Sequence, residues 1–364
     1  MNYVAPVWLP GGHLQTIWAA LYGRRGPGTP PVYRRERWDT ADGDFVDLDF
    51  AVGAAATTGA GAAPATGSAI AVRAPFASPT PPPAFAQAFT APAAEDRPLL
   101  VLFHGLEGSS RSHYAETFAN VAAARGWDYV VPHFRGCGGT LNLAPRAYHS
   151  GDFGEIGWIL ERLRAGRSRP LLAVGISLGG NALLRWTQEA GEGAVRTVAA
   201  VASVCAPLDL AAGAAAIGRG FGRHVYTRMF LASMKPKALA KLAQHPGLFD
   251  GEALRAARDL HAFDDVFTAP LHGFRDAEDY WRRCSAGPHL GAIRVPALVL
   301  NAANDPFVPA ASLPPPPGDA RAPVTLWRPA TGGHVGFPAG SPPGHVRAMP
   351  EAVAGWLAGQ LAEG

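Results

Sequence analysis

Cysteine is nearly absent from this sequence: Cys137, Cys205 and Cys284 are the only three in 364 residues. They lack the CxxC spacing of a zinc site and are too few for a disulfide framework, so reduced thiols in a cytoplasmic protein are expected. Charge is sparse too. Acidic and basic residues make up 17% of the chain and nearly cancel, leaving +3. The basic residues are scattered, with short pairs only at Arg24-Arg25 and Arg34-Arg35, and no nucleic-acid surface follows from them. Long apolar runs are missing as well. Met1 to Leu21 has no basic stretch leading into an apolar one, so no signal peptide is read. Residues 51–71 are too weakly apolar for a bilayer, and the run from Val198 is broken by Pro207 and Asp209. No integral membrane span is expected.

What is present is a core-forming chain. Hydrophobic residues reach 48%, and the length suits one large α/β domain carrying an inserted cap, or two smaller domains. The 43 glycines and 34 prolines are concentrated locally. Residues 52–95 run through Ala, Gly and Thr into a Ser/Pro/Thr tract, which cannot bury enough surface to offset its ordering entropy. A disordered loop insertion is expected there.

Around this insert the pattern is regular. Val32–Asp39 and Phe45–Val52 read as strands joined by a turn at Asp42-Gly43-Asp44. Pro98–Phe103 is a continuous apolar run, the mark of a strand buried on both faces. Helix over His113–Ala124, strand over Trp127–Phe134 and helix over Asp152–Arg164 follow, with Asp152 or Ser150 as the cap. Then come strand Leu171–Ile176, helix Leu178–Gln188 and strand Val198–Val204. Pro296–Asn301, Val324–Trp327 and a closing helix near Val346–Leu361 complete the series. The alternation implies a mainly parallel twisted sheet with helices on both faces, and antiparallel N-terminal strands at one edge. Residues 208–285 interrupt it with helix-rich sequence holding Phe221, Tyr226, Met229, Phe230 and Trp281. That places a helical lid between two halves of a core, 1–207 and 286–364. Ordinary surface helices are the other reading of the same stretch.

Gly175-Ile176-Ser177-Leu178-Gly179 is a G-x-S-x-G sequence between a strand and a helix. A serine presented at so sharp a turn has a strained backbone and needs small neighbours. It is the candidate nucleophile. The helix starting behind it aims backbone N–H groups at a developing oxyanion. His104-Gly105-Leu106-Glu107-Gly108 ends an earlier buried strand beside that turn, so the backbone amides of Leu106 and Leu178 are the candidate oxyanion donors. His104 itself reads as a structural hydrogen-bonding group. A neutral serine also needs an imidazole to take its proton, and a carboxylate to hold the imidazole's tautomer. His334, after Gly332-Gly333 beyond the last strand, is the candidate base, and Asp305, after the preceding strand, the candidate acid. The order Ser177, Asp305, His334 is the one this architecture uses. Asp209 is the rival acid, because it also ends a strand near the site. Cys137, in the loop Arg135-Gly136-Cys137-Gly138-Gly139, has no evident base and reads as a packing residue. His224, His261 and His272 read as structural or solvated.

Several segments in the same order resemble the YheT-type hydrolases of bacteria, relatives of the eukaryotic ABHD-type hydrolases. They are Gly12-His13-Leu14-Gln15-Thr16-Ile17, Asp42-Gly43-Asp44-Phe45-Val46-Asp47-Leu48-Asp49, the His104–Gly108 loop and Phe134-Arg135-Gly136-Cys137. Phe263-Asp264-Asp265, Thr268-Ala269-Pro270-Leu271-His272-Gly273-Phe274 and Asn304-Asp305-Pro306-Phe307 continue the likeness, which spans the chain apart from the 52–95 insert. The resemblance implies an α/β-hydrolase fold and carboxylic-ester hydrolysis by Ser177, Asp305 and His334, with no cofactor and no metal. The expected partner is a small-molecule ester with a hydrophobic acyl group, short- to medium-chain or lipid-like, transient lipid contact being compatible with that. Thioesterase or acyltransferase chemistry uses the same three residues. No H-x-x-x-x-D box surrounds His104, His113 or His149, and serine at 177 excludes the aspartate-dependent dehalogenases and epoxide hydrolases. A non-catalytic hydrolase relative that binds a ligand or protein is the alternative from another class; its usual signature is loss of one of the three residues, and none is missing.

Overall fold

Eight strands assemble into one sheet in the order β1-β2-β4-β3-β5-β6-β7-β8. They are β1 (Tyr33–Asp39), β2 (Phe45–Ala51), β3 (Leu99–Phe103), β4 (Asp128–Pro132), β5 (Leu171–Ile176), β6 (Ala200–Val204), β7 (Ala297–Leu300) and β8 (Val324–Trp327). β1 pairs antiparallel with β2, and β2 with β4; every other pairing is parallel. The protein is seen here in a computed structural model that describes residues 2–26, 30–52, 97–319 and 321–363. Apart from its first residue, the insert expected over 52–95 lies outside the described residues.

The central strands β3, β5, β6 and β7 are buried end to end. Their unbroken apolar sequence follows from having helices on both faces. One face packs under α3 (Phe153–Arg164) and α4 (Leu178–Ala190), through residues such as Ile159, Leu183 and Trp186. The other lies against α2 (His113–Ala124) and α8 (Ala348–Glu363), through Phe118, Met349 and Leu357. The strands and helices read from the sequence recur here with ends shifted by a few residues. Asp152 does occupy the N-cap position of α3, but its carboxylate accepts from Arg146 at 2.6 Å and makes no cap.

Between β6 and β7 the described residues form helices and no strand. They include α5 (Leu210–Ile217), α6 (Arg228–Gln244) and α7 (Ala277–Cys284). Lysines of α6 tie this segment to the loops that follow β3 and β4. Lys241 Nζ donates to the carbonyls of Asn142 and Ala144, and Lys237 Nζ pairs with Glu107 at 2.8 Å. The helix α1 (Gly12–Leu21) has no counterpart in the sequence reading. It has ten residues, no side-chain cap and no acid in its first turn, so local signals do not announce it. No described helix is long and apolar enough to cross a membrane.

Candidate active site

The site forms where parallel strands end. Ser177 follows β5 directly, with φ at 52°, a left-handed value that serine adopts only under constraint. Its N–H donates to Val204 O at 2.8 Å, while its carbonyl accepts from Gly180 and Asn181 as α4 begins. The flanking glycines are steric necessities. A Cβ on Gly175 would stand 2.4 Å from Gly179 O, and one on Gly179 would stand 2.5 Å from the carbonyl oxygens of Phe103 and His104. The serine is thereby pushed out of the sheet at the tip of a turn.

His334 Nε2 lies 3.0 Å from Ser177 Oγ, and its Nδ1 lies 2.9 Å from Asp305 Oδ2. With Nδ1 protonated toward the carboxylate, Nε2 is free to accept the serine proton. The Asp305 side chain is fully buried and that of His334 is 9% exposed. Asp305 Oδ1 accepts from the N–H of Phe307 at 2.8 Å, and the Phe307 ring stacks on the imidazole with centroids 4.1 Å apart. Asp209, the rival acid, is exposed and instead caps α5, accepting from Ala212 N–H.

The 104–108 loop reaches the serine from β3. A Cβ on Gly105 would meet Ser177 Cβ at 3.3 Å, and Leu106 and Leu178 line the same hollow as Ser177 and His334. Leu178 is the first residue of α4, where an amide has no acceptor within the helix. His104 Nε2 accepts from Phe134 N–H at 3.1 Å and its Nδ1 faces Gly105 O at 2.8 Å. Burial, reinforced by nearby His133, pushes this imidazole down to about 3, so it stays neutral and structural. Glu107 holds a positive φ of 57°. Tyr148 clamps it, its hydroxyl accepting from Glu107 N–H and donating to Oε1, both at 2.9 Å.

Other residues of the site carry no catalytic signature in the sequence. Gln15 Oε1 accepts from both Asn304 Nδ2 and Gly332 N–H at 2.9 Å, bolting together the loops that hold Asp305 and His334. Thr16 Oγ1 accepts from His334 N–H at 2.8 Å. Cys205, with φ 52°, lies beneath them and its sulfur accepts from Val335 N–H at 3.3 Å. Only the 12–17 resemblance pointed toward α1, without giving it a role. Cys137 packs half-buried against the core, and burial drives its thiol up to about 12. His224 is exposed, His261 pairs with Glu278, and His272 sits against the carbonyls of Thr268 and Ala147. Among the described residues, Cys205, Asp305 and His334 bring three potential metal-ligand atoms within 4.8 Å of one another. An ion there would compete with the hydrogen bond between His334 and Asp305 for the same lone pairs.

A serine hydroxyl, an imidazole and a buried carboxylate in line, at the strand ends of a mostly parallel sheet, define the α/β-hydrolase class. The family model of the alpha/beta hydrolase fold matches residues 98–340, and the chain belongs to that family. It is 37% identical over 333 residues to a protein of Escherichia coli (strain K12) named "Putative esterase YheT", covering 90% of this chain and 85% of that one. It is 25% identical over 342 residues to human "Phospholipase ABHD3", covering 92% and 73%. Among solved structures, the Pyrococcus furiosus esterase Pf2001 superposes with a TM-score of 0.50 at 12% identity, over 93% of this chain and 96% of that one. That likeness speaks for the fold alone.

Proposed function

We propose that this chain is a serine hydrolase that cleaves carboxylic esters through an acyl-enzyme on Ser177. The observation that carries the reading is the continuous hydrogen-bond line from Asp305 through His334 to Ser177 Oγ. His334 Nε2 takes the hydroxyl proton as Oγ attacks the ester carbonyl. The resulting oxyanion is held by the backbone N–H groups of Leu106 and Leu178. The imidazolium, stabilised by Asp305, then hands its proton to the departing alcohol. Water repeats the sequence to release the acid. The names of the E. coli and human relatives support ester hydrolysis as the chemistry.

The segment 208–285 acts as the lid of a core formed by 1–207 and 286–364. The substrate is a small-molecule ester with a hydrophobic acyl group, matching the apolar side chains of α1 and α6 around Ser177. Three free thiols favour a reducing, cytoplasmic setting. The test is covalent. A fluorophosphonate probe should label the wild-type protein at Ser177, and Ser177→Ala should abolish the label. Equal labelling of the alanine variant would refute the assignment of the nucleophile.

A further inference from the structure

Helix α1 is inside out. Its polar Gln15 and Thr16 are buried, whereas Leu14, Leu21 and the Tyr22 that ends it stand 48%, 67% and 58% exposed. The cause is tertiary. Gln15 and Thr16 are turned inward to hold the Asp305 and His334 loops, so apolar residues of the opposite face are left in water. The segment joining α5 to α6 lies beside this face. The His13 and Phe221 rings meet with centroids 4.6 Å apart, and Phe221 and Met229 are themselves 49% and 55% exposed. Leu21 and Met229 line one hollow, which joins the two elements into a single surface. Around it the charge has one sign. Residues 1–35 and 210–249 contain no aspartate or glutamate. Arg24, just beyond α1, and Arg219, Arg223 and Arg228 are exposed, and among the described residues none of the four has a carboxylate partner. In a chain with a net charge of only +3, that is a segregation of charge.

We propose that this face docks on an anionic lipid surface, with the five exposed apolar side chains entering the headgroup layer and the four arginines pairing with lipid phosphates. The proposal goes beyond the ester chemistry and does not depend on the role of Ser177. Exposed aliphatic and aromatic side chains interleaved with arginine have the composition of an interfacial anchor, and an uncovered apolar patch with a polar rim marks a contact surface. The unpaired arginines argue against a second copy of the chain as the occupant. A two-fold contact would set the face against itself, cation to cation. A bilayer with anionic headgroups satisfies both halves of the face together. Its phosphates take the guanidinium groups, and its interface takes the side chains between them. Docking in this way turns the hollow that reaches Ser177 toward the headgroups, because Leu21 and Met229 belong to both.

The experiment floats Ser177→Ala, which spares the lipid, with vesicles of phosphatidylcholine alone or mixed with phosphatidylglycerol. Binding is expected to the mixed vesicles and not to the neutral ones. Each arginine near an anionic surface is worth about fivefold in affinity, so Arg219→Gln, Arg223→Gln and Arg228→Gln together should weaken binding on the order of a hundredfold. Leu14→Ser with Phe221→Ser should weaken it at least about tenfold by removing apolar area from the interface. Raising salt from about 0.1 M to about 1 M shortens the screening length from about 10 Å to about 3 Å and should release the protein. The sites are exposed, so each variant should keep its Tm within about 2 °C. Equal binding to both kinds of vesicle, binding to neither, or undiminished binding by the triple glutamine variant would overturn the proposal. So would a dimer that Leu14→Ser dissociates, or binding of poly-glutamate without binding of anionic vesicles, which would give the face to a second copy or to an acidic protein. Turnover of p-nitrophenyl acetate by the wild type is read separately. Vesicle binding can therefore succeed in a protein that cleaves no ester and fail in one that does.

Discussion

Asp209 and Asp305 follow neighbouring strands, and their surroundings separate them. Asp305 is buried against His334 and accepts a backbone N–H, whereas Asp209 spends its carboxylate on the first turn of α5. Asp305→Asn should therefore lower turnover of p-nitrophenyl acetate by roughly three to four orders of magnitude, as loss of a triad acid does. Asp209→Asn should stay within about twofold, since asparagine caps a helix as well as aspartate does. A reversed outcome in the two kcat values would move the role to Asp209. At this scale, the residues whose chemistry is local could be read from the sequence. Ser177 sits in a motif that its own turn requires, and His334 and Asp305 each follow a recognisable strand. Gln15, Thr16 and Cys205 could not be read this way. Their work depends on partners up to 318 residues away, and an amide, a hydroxyl and a thiol announce nothing by themselves.

Among the elements, the 104–108 loop carries the most constraint. Glu107 is forced to a positive φ immediately after the Leu106 amide, with Tyr148 gripping it from the core and Lys237 of α6 pairing with it from the other side. Tyr148→Phe removes both hydrogen bonds of the grip and leaves the ring stacked on Phe134 in place. It should lower kcat about tenfold with little change in KM, short of the roughly hundred- to thousand-fold expected when an oxyanion donor is lost outright. A rise in KM at constant kcat would show that the clamp serves binding and not the loop's geometry. The central strands were legible because they are continuous apolar runs, and the helices because they alternate with them. The short, uncapped α1 was not legible. Tertiary hydrogen bonds from Gln15 to Leu9, Asn304 and Gly332 hold it where propensity does not.

Across the whole molecule, the sheet topology brings the chain on either side of residues 53–96 to the same end of the sheet. β2 and β3 flank β4, with Phe50 opposite Val130 and Leu99 opposite Asp128. Ala51 and Leu99 thus lie at the same end of the sheet, two strand spacings or about 10 Å apart. A linker of about eight residues spans that distance with slack. Replacing 53–96 by a Gly/Ser linker of that length should leave Tm within about 2 °C and acetate turnover within twofold. A fall of 10 °C or more, measured by calorimetry, would mean that the segment contributes to the fold. The attachment of α1 has a consequence in time. The contacts of Gln15 and Thr16 with residues 304, 332 and 334 join α1 to positions translated some three hundred codons later. A nascent chain stalled near residue 300 already contains Ser177 and most of the sheet, but neither Asp305 nor His334, and α1 has nothing to grip. Under the proposed assignment, partly translated copies cleave no ester, and Ser177 gains its proton acceptor only after residue 334 has left the ribosome.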